Sequence, residues 1–373
     1  MSRLFLFGTL RWAELRRAVA GEDIAVRPAT LDGWHVERAV AGDWPVLVPG
    51  GQVQGVVTDE LTPDARDRLD WYEVAFGYGV EPVDLTADGV SIRADVYRET
   101  SGAGGTGAAW DLDAWIDAHG ERTVIASAEV LRAKGRLSPD EVQAMRPVIH
   151  ARAHGVVMGR ATKRPVTIGG GPDAKDIAVR QIRYPYDGFH RVEEWVLDHP
   201  RYDGRRSGDI QRAISHVTNA ATVLPYDPVR DRVLVVEQIR VGAIAKDDPH
   251  PWILEPVAGL IDAGETPEST ALRECAEEAG LTVTADDLHF VARYYPSPGG
   301  LAQVLHSYVA LADLPDGAGG LHGLEDEAED IAAHLLSLDD LLAMIPTGEA
   351  ANAPLILSAQ WLALHRDRLR LNG

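Results

Sequence analysis

Glu274, Glu277 and Glu278 lie three and four residues apart along Arg273-Glu274-Cys275-Ala276-Glu277-Glu278-Ala279-Gly280. A helix through them carries all three carboxylates on one face. Like charges at that spacing repel, so a purely structural helix gains nothing from them. A hard divalent cation reverses the sign, because Mg²⁺ takes oxygen ligands and shares them with substrate phosphates. The bland alternative is a solvated acidic face. The helix has readable ends: Thr266 as N-cap, Pro267 at the first helical position and Gly280 as the stop, a span of 267–279. Gly259 and Gly264 bracket the tight loop that feeds it.

Every fixed position of one pattern is filled from Gly259 to Leu281, including Glu265, Arg273-Glu274, Glu277-Glu278 and Gly280. The stretch resembles the Nudix box, the signature of hydrolases of nucleoside diphosphates linked to another moiety. Cys275 stands where that family usually has an aliphatic residue, and a free cysteine packs as a small hydrophobe. The resemblance implies Mg²⁺, with Mn²⁺ as a substitute, held by Glu274, Glu278 and Glu277 and by the backbone carbonyl of Ala258. It also implies that Glu265 pairs with Arg273 to order the helix, so that Arg273 is scaffold, as are Gly259 and Gly280.

The similarity runs on through Arg212, AATVLPYDPVRD, VVEQIR, PWILEPVAGLID, YYPSPGG and HGLEDEAEDI. These segments look like the bacterial ADP-ribose pyrophosphatase subfamily, in which a proline at the position of Pro296 marks ADP-ribose hydrolases. The resemblance implies hydrolysis of ADP-ribose to AMP and ribose 5-phosphate. It names Glu327 as the base, with Glu329 next as base or metal ligand. Arg240 and Arg212, with Arg191 behind them, and Pro296 and Gly299 are the substrate-side candidates. Gln303 replaces an acid common in related sequences and keeps hydrogen bonding without the charge. The family exchanges the strands before the box between subunits, which implies a homodimer through this domain. Two other readings stay open: hydrolysis of another nucleoside diphosphate derivative (NADH, a dinucleoside polyphosphate, an ADP-sugar), or a non-catalytic ADP-ribose sensor.

The chain has 373 residues, too many for one ordinary core and suited to two domains. Its formal net charge of −21 argues against a sequence-blind nucleic-acid binder, which needs basic surface to displace counterions. One cysteine excludes an internal disulfide and fits a reducing cytoplasm. The opening MSRLFLFGTLRWAELRR is too short in its apolar part for a signal peptide, and no apolar run is long enough to span a membrane.

Short strand-like runs alternate with helical pieces up to residue 100. They form an α+β unit that resembles the gamma-glutamylcyclotransferase-like (AIG2-like) fold, a mixed barrel with helices. Phe7-Gly8-Thr9-Leu10, Gly55-Val56-Val57 and Leu69-Asp70-Trp71-Tyr72-Glu73 carry the resemblance. It implies that Glu73 is a general acid/base, with a surface carboxylate at a helix end as the alternative. Residues 101–109 read as a flexible Gly-rich loop, and two or three helical stretches follow from about Asp111 to Ala153. The expected division is a first domain at 1–158, a linker at 159–176 and a Nudix domain at 177–373, the last an α/β/α sandwich around a mixed sheet.

Overall fold

The first strand, β1 (Leu4–Leu6), is buried on both faces, with Phe5 turned one way and Leu4 and Leu6 the other. It lies parallel to β5 (Val90–Glu99) and antiparallel to β3 (Pro45–Thr58). The long hairpin partner β2 (Val26–Ala39) and the strand β4 (Tyr78–Ala87) complete a ring in the order β3-β1-β5-β4-β2-β3. This closed five-stranded barrel leaves those strands no open edge. Phe5, Leu31, Val53, Val57, Leu85 and Val96 fill its interior. The structure, a computed structural model, describes residues 3–372 apart from 101, 103, 164–166, 169–170, 172 and 324–328. The chain divides into two units, Met1–Thr162 and Lys163–Gly373.

Helices α1 (Ala13–Ala20), α2 (Pro63–Val74), α3 (Leu112–Trp115), α4 (Glu121–Ala133) and α5 (Pro139–Ala161) complete the first unit. Leu15, Val19, Leu69, Val130, Val142 and Ile149 from these helices pack with Leu4 and Leu6. Two expectations change. The Gly-rich stretch forms a strand, β6 (Gly105–Ala109), beside β2, because backbone pairing needs no side chain and the Gly107 amide donates to Glu37 at 2.7 Å. Helix α5 also continues to Ala161, so the expected linker begins inside a helix.

In the second unit, β7 (Ala178–Asp187), β8 (Arg191–Asp198) and β9 (Ile210–His216) form an antiparallel sheet of their own. The main sheet contains β10 (Ala220–Asp227), β11 (Arg232–Ile239), β12 (Trp252–Glu255) and β13 (Val257–Leu260). A one-turn helix, α6 (Val241–Ile244), precedes β12. The box helix α7 (Pro267–Ala279) is followed by β14 (Leu288–Tyr294), the two-residue β15 (Leu301–Ala302) and β16 (Leu305–Leu311). β17 (Gly320–His322), β18 (Ile331–Ser337), α8 (Leu338–Thr347) and α9 (Ala353–Asn372) end the chain. β10 and β16 are parallel while β10–β11 and β11–β18 are antiparallel, so the sheet is mixed. Leu224, Tyr226, Val233 and Val235 meet Leu341, Leu355, Ala359 and Leu362 of α8 and α9 on one face. The alternate residues Val223 and Val236 turn to the other face, where α7 buries Ala271 and Cys275.

Candidate active site

Helix α7 starts and stops where its local chemistry dictates. Thr266 accepts from the Ser269 amide at 3.1 Å, and the Ser269 hydroxyl accepts from the Thr266 amide at 2.9 Å, a reciprocal cap. Gly280 ends the helix at φ 62°, a conformation side chains resist. This phase turns Glu274 and Glu278 inward: the residues are 8% and 2% exposed, respectively. Gly259 on β13 makes room for them, because a Cβ there would lie 1.6 Å from Oε1 of Glu274.

The three carboxylates are held differently. The Ala258 amide donates to Glu278 Oε2 at 2.9 Å. That amide faces away from β10, and in an antiparallel ladder the carbonyl of the same residue turns to the same side. Arg273 Nη1 donates to Glu274 Oε1 at 2.6 Å and to Glu277 Oε2 at 2.8 Å. Its Nε donates to Glu265 Oε1 at 3.0 Å and its Nη2 to the Leu260 carbonyl at 3.2 Å. Arg273 thus ties the feeding loop to the acids as well as to Glu265. Glu265 also accepts from the Thr270 hydroxyl at 2.6 Å. Burial pushes the Glu278 carboxyl up to about 8, with Glu274 and Glu329 adding to the shift. Burial likewise raises Glu274 to about 7, against the pull of Arg273. Among the described residues no group of three or more His, Cys, Asp or Glu side chains is gathered as a metal cluster.

The end of α7 sets what faces these acids. His322 of β17 packs against Gly280, where a Cβ would meet its ring at 3.2 Å. The antiparallel return pairs His322 with Ile331 and brings Glu329 within electrostatic reach of both Glu274 and Glu278. Glu327 lies outside the described residues. Arg240, just past β11, faces Glu278 and Glu329 as well. Its Nε donates to both oxygens of Glu255 at 3.0 Å, and its Nη2 also bonds Glu255. Asn352 donates to that buried acid at 3.1 Å. The anchor Glu255 was not singled out from the sequence. Its only signal was an acid in an otherwise apolar run, Trp252-Ile253-Leu254-Glu255-Pro256.

The other substrate-side candidates lie on β8, on β9 and in the loop before β15. Arg212 is exposed on β9 opposite Trp195 and donates to the Gln211 carbonyl at 2.8 Å. Pro296 and Gly299 are exposed in the loop before β15. That loop is fastened to β9: the Ser215 amide donates to the Gly300 carbonyl at 2.8 Å, and β15 runs parallel to β9. Arg191 is buried and committed to Glu193 and His216, each at 2.7 Å, which makes it an internal anchor. Gln303 donates its amide to the Thr218 carbonyl at 3.0 Å, a bond no carboxylate could make.

Glu73 sits in the last turn of α2, only 9% exposed. Burial, with Asp70 adding, pushes its carboxyl up to about 8. Neither Glu73 nor the neighbouring Tyr72 hydroxyl has a hydrogen-bond partner among the described residues. Burial there comes from Tyr72, Tyr78 and Tyr97, none of which could be placed from spacing alone.

The NUDIX domain model matches residues 216–358, and that for gamma-glutamyl cyclotransferase, AIG2-like, matches 4–111. The chain belongs to the Nudix family and is a hydrolase, with an AIG2-like domain ahead of the Nudix domain. It is similar to the ADP-ribose pyrophosphatase of Escherichia coli K12, at 38% identity over 208 residues, which is 55% of this chain and 95% of that one. The ADP-ribose pyrophosphatase of Haemophilus influenzae is 34% identical over 198 residues, 52% of this chain and 90% of its own. A GDP-mannose pyrophosphatase of Citrobacter koseri is 31% identical over 172 residues, 45% of this chain and 87% of its own.

Proposed function

We propose that the second unit hydrolyses the pyrophosphate of ADP-ribose to AMP and ribose 5-phosphate in a Mg²⁺-dependent reaction. The observation that carries this is the buried pair Glu274 and Glu278 facing Glu329 and Arg240. The substrate follows from the activity for which the two ADP-ribose pyrophosphatases are named. The donor set fits a hard divalent cation: buried carboxylates that resist ionising together, beside an outward-turned strand carbonyl. Glu274, Glu278, Glu277 and the Ala258 carbonyl would hold it. Mg²⁺, or Mn²⁺ in its place, would neutralise pyrophosphate oxygens and acidify a water. Glu327 or Glu329 would take the proton of the attacking water as its oxygen bonds to one phosphorus and the bridging P–O bond breaks, the other phosphate leaving with that oxygen. Arg240 is fixed by Glu255 through Nε and Nη2, which leaves Nη1 to bond a phosphate oxygen.

Arg212 and the Pro296–Gly299 loop, joined through β9 and β15, form the nucleoside side of the site. Pairing of two chains through the separate sheet, which exposes Val179, Tyr186 and Phe189 with its turn, brings that side to completion in a homodimer. The reaction belongs to the cytoplasm, where nucleotide substrates are found and a lone thiol stays reduced.

The test is a substrate panel on the full chain, with Mg²⁺ and with EDTA: ADP-ribose, GDP-mannose, NADH, a dinucleoside polyphosphate and an ADP-sugar. ADP-ribose shows the highest kcat/KM, and EDTA abolishes turnover. Faster turnover of another nucleotide replaces the substrate. Undiminished hydrolysis by Glu274→Gln sinks the metal assignment.

In the first unit, Glu73 fits a general acid/base that cyclises a γ-glutamyl group to 5-oxoproline, since a raised pKa suits a carboxyl to proton transfer near neutrality. Release of 5-oxoproline from γ-glutamyl compounds, absent in Glu73→Gln, is the measurement.

A further inference from the structure

Asn352 stands immediately before α9, 97 residues along the chain from Glu255. Its side chain makes two bonds at once. Oδ1 accepts from the Leu355 amide at 3.0 Å, which caps the first turn of α9. Nδ2 donates to Glu255 Oε1 at 3.1 Å. The cap sets the orientation of the amide: with Oδ1 committed to the helix, it is the nitrogen that faces Glu255. The fully buried Leu355, Ala359 and Leu362 hold α9 itself against the main sheet.

Glu255 is the acid that holds Arg240, and it is only 6% exposed. Arg240 Nε donates to both of its oxygens at 3.0 Å, and Nη2 bonds Oε2. The backbone of Arg240 is fixed as well, since its amide donates to the Pro251 carbonyl at 2.8 Å. What remains free is the side chain. The terminal torsion of a glutamate is broad, so a carboxylate held by this arginine alone is free to turn together with it. The Asn352 bond on Oε1 stops that rotation. It also supplies a second partner to an oxygen that burial has taken from water. Arg240 Nη1 has no bond among the described residues, and the guanidinium lies within electrostatic reach of Glu278 and Glu329.

We propose that Asn352 is a positioning residue for the hydrolysis: it locks the carboxylate plane of Glu255 and thereby aims Nη1 of Arg240 at a phosphate oxygen of the substrate. The direction of that contact is then set by the packing of α9 in the core. This rests on reading Arg240 as a phosphate ligand and is separable from which nucleotide is the best substrate.

Asn352→Ser separates the two bonds. A serine hydroxyl caps a helix about as well as an asparagine, and it is too short to replace the amide on Glu255. Steady-state kinetics are run on the full chain with Mg²⁺, using ADP-ribose or whichever nucleotide of the panel turns over fastest. Asn352→Ser raises KM at least about 10-fold and keeps kcat within about threefold, because the contact it misaligns is made in the ground state and the transition state alike. Asn352→Asp, which keeps the cap and sets a second carboxylate against Glu255, raises KM further. In an Arg240→Gln background, Asn352→Ser changes KM no more, since the group it aims is gone. Circular dichroism of each variant reports the fold. An unchanged KM in Asn352→Ser, or the same fold-increase with and without Arg240, shows a helix cap only; it overturns the proposal and leaves Arg240 as a phosphate ligand. Arg240→Gln with the KM of the wild type removes the phosphate contact and this proposal with it.

Discussion

Glu278 is a carboxyl that folding makes harder to ionise, moved from 4.5 to about 8. A group raised in this way contributes stability that is fully present below the unfolded value, and that is lost as pH rises through the folded one. Metal-free protein in EDTA should therefore lose stability in the Nudix unit between about pH 4.5 and 8. Glu278→Gln keeps the volume and removes the charge. Calorimetry should show its unfolding midpoint gaining on the wild type from pH 5 to 8.5, while ADP-ribose hydrolysis disappears. An unchanged difference between the two pH values would mean that the carboxyl is not desolvated. Glu73 carries the same sign in the other unit. As a base it works only when ionised, so 5-oxoproline release should rise with pH through about 8. An inflection near 4.5 would show an ordinary exposed acid. The spacing of Glu274, Glu277 and Glu278 made the acidic face legible. It could not show that Arg273 spans Glu265, Glu274 and Glu277 at once.

Helix α7 and strand β13 work as a pair, because the carboxylate of Glu274 crosses β13 where Gly259 has no side chain. Gly259→Ala should push that carboxylate aside and lower kcat/KM at least about 100-fold with unaltered circular dichroism, since the backbone itself need not move. Thr266→Ala tests the same helix away from the chemistry. Loss of the cap should cost about 1 kcal/mol of stability, read as a shift in denaturant midpoint, with kcat nearly unchanged. The bounds of this helix were readable in full because a cap, a proline and a glycine are local signals. The Gly-rich stretch that became β6 was not, since its pairing is decided by β2 some seventy residues away. Strand β3 likewise runs through Pro49-Gly50-Gly51, a local turn signal, because β2 holds it in register along nearly its whole length.

Each unit has its own sheet, core and buried acid. The Nudix unit expressed as residues 163–373 should hydrolyse ADP-ribose with kcat within about twofold of the full chain, as expected of a domain with its own core. A dead fragment would show that the AIG2-like unit supplies something the site lacks. The exposed apolar residues of the β7–β8 hairpin predict a dimer: light scattering should give a mass twice that of the 40.4 kDa chain, and Tyr186→Glu should lower it. A monomer with full activity would place the nucleoside side of the site within a single chain. No described helix is long and apolar enough to cross a membrane.

The sequence alone determined the bounds of the box helix and its acidic face, because helix phase, capping and carboxylate spacing are set within about twenty consecutive residues. Tertiary structure decided which groups face it. Glu329, Arg240 and Glu255 come from strands and turns far apart in the chain, and only sheet register brings them to α7. Tertiary structure also decided protonation, since Glu73, Glu274 and Glu278 are shifted mainly by burial, which depends on everything packed around them.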